Sequence, residues 1–93
     1  MTAQVKVLLH AMFKESAGKG EISHELSSSS SLKTLLDELA NKYGKEFKKV
    51  LNPKTGLIET DTLVMLNGKS MRKPDVSLKD GDIIMITVPI GGG

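Results

Sequence analysis

The sequence predicts an α+β fold: a mixed four- to five-stranded sheet packed on one main helix. Three observations point there. Apolar residues alternate from Val5 to His10 near the start of the chain and form a strand-like run from Ile83 to Val88 near its end. Leu32, Leu35, Leu36, Leu39, Ala40 and Tyr43 recur at the spacing of a single helical face. Asn67-Gly68, directly after the strand-like Thr62-Leu63-Val64-Met65-Leu66, is the strongest short hairpin signal a sequence offers.

The elements follow in order. Val5, Val7 and Leu9 share one face of the first strand, with Lys6, Leu8 and His10 on the other. Phe13 to Gly20 carries two glycines and mixed charges, which suits a hairpin connection to a second strand, Glu21 to Leu26. In that strand either Ile22, His24 and Leu26 are in phase or a bulge turns only the two aliphatics inward. The serine run Ser27 to Ser31 ends where a hydroxyl can accept from the free amides of a helix's first turn, so Ser31 is the expected N-cap of a helix over Leu32–Tyr43. Gly44 is the expected left-handed stop.

Phe47, Val50 and Leu51 fit a short second helical turn, and Asn52 to Gly56 has turn composition. Leu57-Ile58-Glu59 suits a brief strand or bridge, and Lys69 to Arg72 a short return strand. Lys79-Asp80-Gly81-Asp82 is a tight turn feeding the last strand. With the helix supplying a crossover of sufficient length, the first and last strands are expected side by side and parallel in the sheet centre.

Ninety-three residues make one domain, read as residues 1–88 followed by a flexible glycine tail at 89–93. With two Phe, one Tyr and no Trp in a chain that is 39% hydrophobic, the core must be aliphatic. The absence of cysteine excludes disulfides, thiolate metal sites and a thiol nucleophile. His10 and His24 are too isolated to suggest a metal site, and no Ser-His-acid set or paired carboxylate stands out, so a hydrolytic enzyme is not expected. The net charge of +2 is interspersed, without the concentrated basic face that nucleic acid requires; Lys45, Lys48 and Lys49, the densest cluster, read as a solvated helical face. No apolar stretch approaches the ~18 residues of a membrane span, and no signal peptide opens the chain, so a soluble cytoplasmic protein is expected.

The chain closes on Gly91-Gly92-Gly93, side-chain-free residues that contribute nothing to a core but form a thread narrow enough for another protein's channel. Together with Val5-Lys6-Val7-Leu8-Leu9, the central helix, Val64-Met65-Leu66-Asn67-Gly68, Leu78-Lys79-Asp80-Gly81-Asp82 and Pro89, this ending resembles the ubiquitin-like β-grasp proteins. Within them it is similar to the MoaD and ThiS sulfur carriers and the small archaeal modifier proteins. The Asp-Gly-Asp turn is weak by itself; its spacing from the final diglycine is the specific part. The chain departs from the family at Ile86-Thr87 and Val88-Pro89, where relatives often have two aromatics and two prolines, and at Gly91, commonly Ser or Thr.

The resemblance implies a carrier or modifier rather than an enzyme. It binds no cofactor; ATP is used by a ubiquitin-activating-type (MoeB/ThiF-like) adenylating partner. Gly93 would be the site of adenylation, thiocarboxylate formation or conjugation, with Gly91 and Gly92 entering the partner's active site. The sulfur acceptor would be a molybdopterin synthase large subunit, or thiamine or tRNA-thiolation chemistry; lysines of other proteins are the alternative targets. Strand phase adds a docking face: Leu8, Leu63, Met65, Met85 and Thr87 fall on the side of the sheet away from the helix, unless the second helical segment or a loop covers them. The competing function is a non-covalent β-grasp interaction module with an incidental glycine tail.

Overall fold

The computed structural model describes residues 2–89. Strand β1 (Thr2–Leu9) leads through helix α1 (Ala11–Ala17) to β2 (Glu21–Ser27), then to α2 (Leu32–Tyr43) and the single turn α3 (Lys45–Lys48). A long connection reaches β3 (Leu63–Leu66), which turns into the two-residue β4 (Lys69–Ser70) and finally into β5 (Ile83–Thr87). The five strands form one sheet in the order β2-β1-β5-β3-β4. β1 and β5 are parallel, with Val7 opposite Ile84 and Leu9 opposite Ile86, and the other pairs are antiparallel. The expected central parallel pair is therefore present.

Helix α2 has the bounds the apolar spacing predicts. Ser31 Oγ accepts from the Thr34 N–H at 3.2 Å, satisfying one of the orphan donors of the first turn. Leu32, Leu35, Leu36, Leu39 and Ala40 are buried against the sheet face formed by Val5, Val7, Leu9, Val64, Ile84 and Ile86. Each such Leu or Ile contributes roughly 1.5–3 kcal/mol by leaving water, so this one interface dominates stability. His24 is in phase with Ile22 and Leu26, without a bulge, and its Nε2 lies 2.7 Å from Glu38 Oε1, joining β2 to α2.

Some elements differ from the sequence expectation. Phe13 to Gly20 is not a simple hairpin connection: Ala11–Ala17 is helical, and Phe13 is buried with its ring 5.3 Å from that of Phe47. The tertiary contact with Phe47 stabilises a helix too short to form alone. β1 begins at Thr2 because β2 continues to Ser27 and pairs with it. Gly44 ends α2 at φ 114°, ψ −177°, an extended conformation open to glycine and distinct from the left-handed helical stop. The return strand stops at Ser70 rather than Arg72, and β5 at Thr87 rather than Val88. The expected bridge is present as Leu51 opposite Ile58.

Candidate functional site

Strand β5 has hydrogen-bonded neighbours on both sides, β1 and β3, so the segment that leads to the chain's C-terminal residues is held in the middle of the sheet. The His10 N–H donates to Ile86 O at 3.2 Å, extending that support past the end of β1. Val88 is half-buried and Pro89 exposed, so the chain reaches the surface there. Gly91, Gly92 and Gly93 lie outside the described residues, as does the expected tail beyond Pro89.

The face of the sheet turned away from α2 carries the predicted docking residues in a definite order. Met85 lies opposite Leu8 on one side and Met65 on the other, and Glu21 and Ser70 end this row at the two sheet edges. An apolar centre of three half-buried side chains is thus framed by polar ones. Leu63, also half-buried, sits in the next row opposite Thr87. Thr87 is only 8% exposed, lying where β1 gives way to α1, so it offers a partner far less surface than the other four. Helix α3 does not cover this face; it packs with α2 and α1 on the other side.

Sequence phase missed one member. Ile83 shares the parity of Met85 and Thr87 and is 42% exposed, paired with Lys6 across the ladder to β1. The same alternation that selected Met85 selects Ile83, which extends the apolar strip along β5. Lys6 Nζ lies 3.7 Å from Glu21 Oε2 at its flank, an exposed pair that adds orientation more than stability. Met12 on α1 is the other large exposed apolar residue among the described ones, also 42%.

The described residues hold no group of three or more metal-donor side chains. No helix among them is long and apolar enough to cross a membrane. Of the serine run, Ser31 is committed to capping α2.

A mixed sheet with a parallel central pair, one long helix across one face and an apolar opposite face beside the end of the last strand defines a ubiquitin-like β-grasp protein. The family model that matches is that of the ThiS family, over residues 7–93. The chain belongs to this family of ubiquitin-fold sulfur carriers and modifiers. Among solved structures it is similar to a putative molybdopterin converting factor, subunit 1, from Pyrococcus furiosus, with 27% identity, 95% of this chain and 99% of that chain covered, and a TM-score of 0.77. It is similar too to small archaeal modifier protein 1 of Methanosarcina acetivorans: 28% identity, 100% and 99% coverage, TM-score 0.75. CysO in the Amycolatopsis orientalis BexX/CysO complex shares the fold at 18% identity, with 96% and 99% coverage and a TM-score of 0.73. No curated protein sequence matches the chain.

Proposed function

We propose that this protein is activated at the Gly93 carboxylate by an adenylating enzyme and then carries sulfur, protein-conjugation chemistry, or both. The observation that carries the reading is the family match, which runs through the β-grasp body to residue 93 and so includes the glycine ending. A carboxylate resists nucleophilic attack because its charge is delocalised over both oxygens. Attack by a carboxylate oxygen on the α-phosphorus of ATP expels pyrophosphate and leaves an acyl adenylate. Hydrosulfide attacking the acyl carbon displaces AMP and gives the thiocarboxylate directly; sulfur arriving as a persulfide gives an acyl disulfide, whose S–S bond a thiol then reduces to release the thiocarboxylate. Alternatively the acyl group passes through a thioester to a lysine amine, forming an isopeptide bond.

In this division of labour the protein supplies the acyl group and the docking face, and the partner supplies catalysis. Gly91 and Gly92 lack the β-carbon that would obstruct a narrow channel. Leu8, Leu63, Met65 and Met85, with Ile83 beside them, give the partner an apolar surface, and methionine adapts to more than one shape. Thr87 contributes at its margin. The structural neighbours include a molybdopterin converting factor subunit and a small archaeal modifier protein, which supports keeping both the carrier and the modifier fate in this reading.

The test is adenylate formation by purified protein with a MoeB/ThiF-like enzyme and ATP, followed by intact-mass analysis of protein isolated from its own cells. Replacement of one carboxyl oxygen by sulfur marks the carrier, and glycine remnants on lysines of other proteins mark the modifier. If neither product and no adenylate is found, the protein is a non-covalent β-grasp module instead.

A further inference from the structure

On the helix side of the domain, across the sheet from Leu8, Met65 and Met85, α2 and the segment after α3 border a groove of about 530 Å³. Leu36 and Phe47 lie beneath it, each only 1% exposed, so its open apolar surface comes from the half-buried Leu51 and the exposed Pro53, while Lys33, Asp37 and Lys48 stand along its walls. This volume falls within the range of ligand-binding clefts, and its residues include none from the β5 end or the open sheet face.

The charge around the groove is unbalanced. Asp37 is engaged by Lys33 at 3.0 Å, and Glu46 by Lys49 at 3.7 Å. Lys48, and nearby Lys45 and Lys54 on the same segment, have no acidic partner among the described residues. Of the basic cluster that sequence alone assigns to a solvated face, Lys48 lines this recess. An apolar recess with surplus positive charge at its rim complements an apolar segment that carries carboxylates.

We propose that this groove docks a short acidic segment of a partner protein, with apolar side chains on Leu51 and Pro53 and carboxylates at Lys48 and its neighbours. The α2 wall from Lys33 to Asn41 is roughly 12 Å long at ~1.5 Å per residue, which accommodates about four residues of an extended peptide at ~3.3 Å each. Since the groove lies across the sheet from Met65 and Met85, a segment seated there leaves the open face available, and the domain can hold two partners at once.

The experiment is a titration of the ¹⁵N-labelled full chain with the acetylated, amidated peptide Asp-Leu-Glu-Leu-Asp and its counterpart Lys-Leu-Lys-Leu-Lys. The acidic peptide is expected to shift the amides of Leu36, Ala40, Lys48 and Leu51 saturably, with affinity that falls as salt rises, and the basic one is not. Lys48→Glu, with its amide spectrum still dispersed, is expected to weaken the acidic peptide about fivefold or more; if that variant does not fold, Lys48→Ala carries the comparison. Equal binding of both peptides, shifts confined to the Leu8–Met85–Met65 face, no shifts, or a Lys48 variant of unchanged affinity would overturn the proposal. None of these outcomes bears on carboxyl activation, which is read separately.

Discussion

Asn67 and Ile83 exchange two hydrogen bonds: Asn67 Oδ1 accepts the Ile83 N–H at 2.9 Å, and the Asn67 N–H donates to Ile83 O at 2.8 Å. Asn67 Nδ2 also donates to Asp82 Oδ1 at 2.9 Å, and Asp82 Oδ2 accepts the Lys79 N–H at 2.7 Å. One side chain thus ties the β3–β4 turn to the turn that starts β5. The strand that leads to the chain's C-terminal residues is fixed at its beginning by this network and along its length by two ladders.

Asn67 also sits at φ 50°, a conformation that Asn and Gly accept and Ala resists. Asn67→Gly is expected to lose the side-chain bonds alone, about 1–1.5 kcal/mol, and Asn67→Ala to add roughly 1 kcal/mol of backbone strain. Urea denaturation of both variants checks the order. Equal stabilities would mean that the turn relaxes without strain.

Gly44 gives a second backbone prediction. A β-carbon placed there meets no atom within 4 Å, so crowding is not the reason for glycine. At φ 114°, ψ −177° the cost of Gly44→Ala is conformational, about 1–3 kcal/mol. A thermal melt reads it; a neutral substitution would show that α2 and α3 can join through another geometry.

The parts of this fold set by local rules were legible in the sequence, and those set by distant contacts were not. Leu32 to Tyr43 announced α2 through spacing, Ser31 its start, and Asn67-Gly68 the β3–β4 turn. Helix α1 was not legible, because its seven residues bury one large side chain, Phe13, whose partner Phe47 is far along the sequence. The helical turn carrying Phe47 was foreseen, but its engagement with α1 was not. On the sheet face proposed for docking, alternation selected Leu8, Met65 and Met85 but gave no sign that Thr87 is covered near the sheet end. The groove bordered by Lys33 and Lys48 joins two elements whose approach no periodicity records.

Phe13→Ala tests that long-range contact. The ring is 2% exposed and packs 5.3 Å from Phe47, so its removal leaves a cavity between α1, α3 and the core. The expected loss is about 3–5 kcal/mol, with α1 amides exchanging much faster than those of α2. A loss below about 1 kcal/mol would mean that α1 packs loosely and the β1–β2 connection behaves as a plain loop after all.

Met85→Asp tests the proposed docking face at its centre. Met85 lies between Leu8 and Met65 and is half-buried in the free protein, so an aspartate there keeps access to water. Its cost to folding is therefore about 1 kcal/mol, in the range of strand propensity differences on a half-exposed face. When a partner covers the row, the same carboxylate is buried among apolar groups without a counter-ion, a penalty of about 3 kcal/mol or more, equivalent to roughly a hundredfold in affinity. The kcat/KM of adenylate formation is expected to fall by that order while the thermal midpoint moves only a few degrees, and Met85→Leu, similar in volume and still apolar, is expected to stay near wild type. A folded Met85→Asp protein that is adenylated at the wild-type rate would place the activating contact elsewhere on the surface.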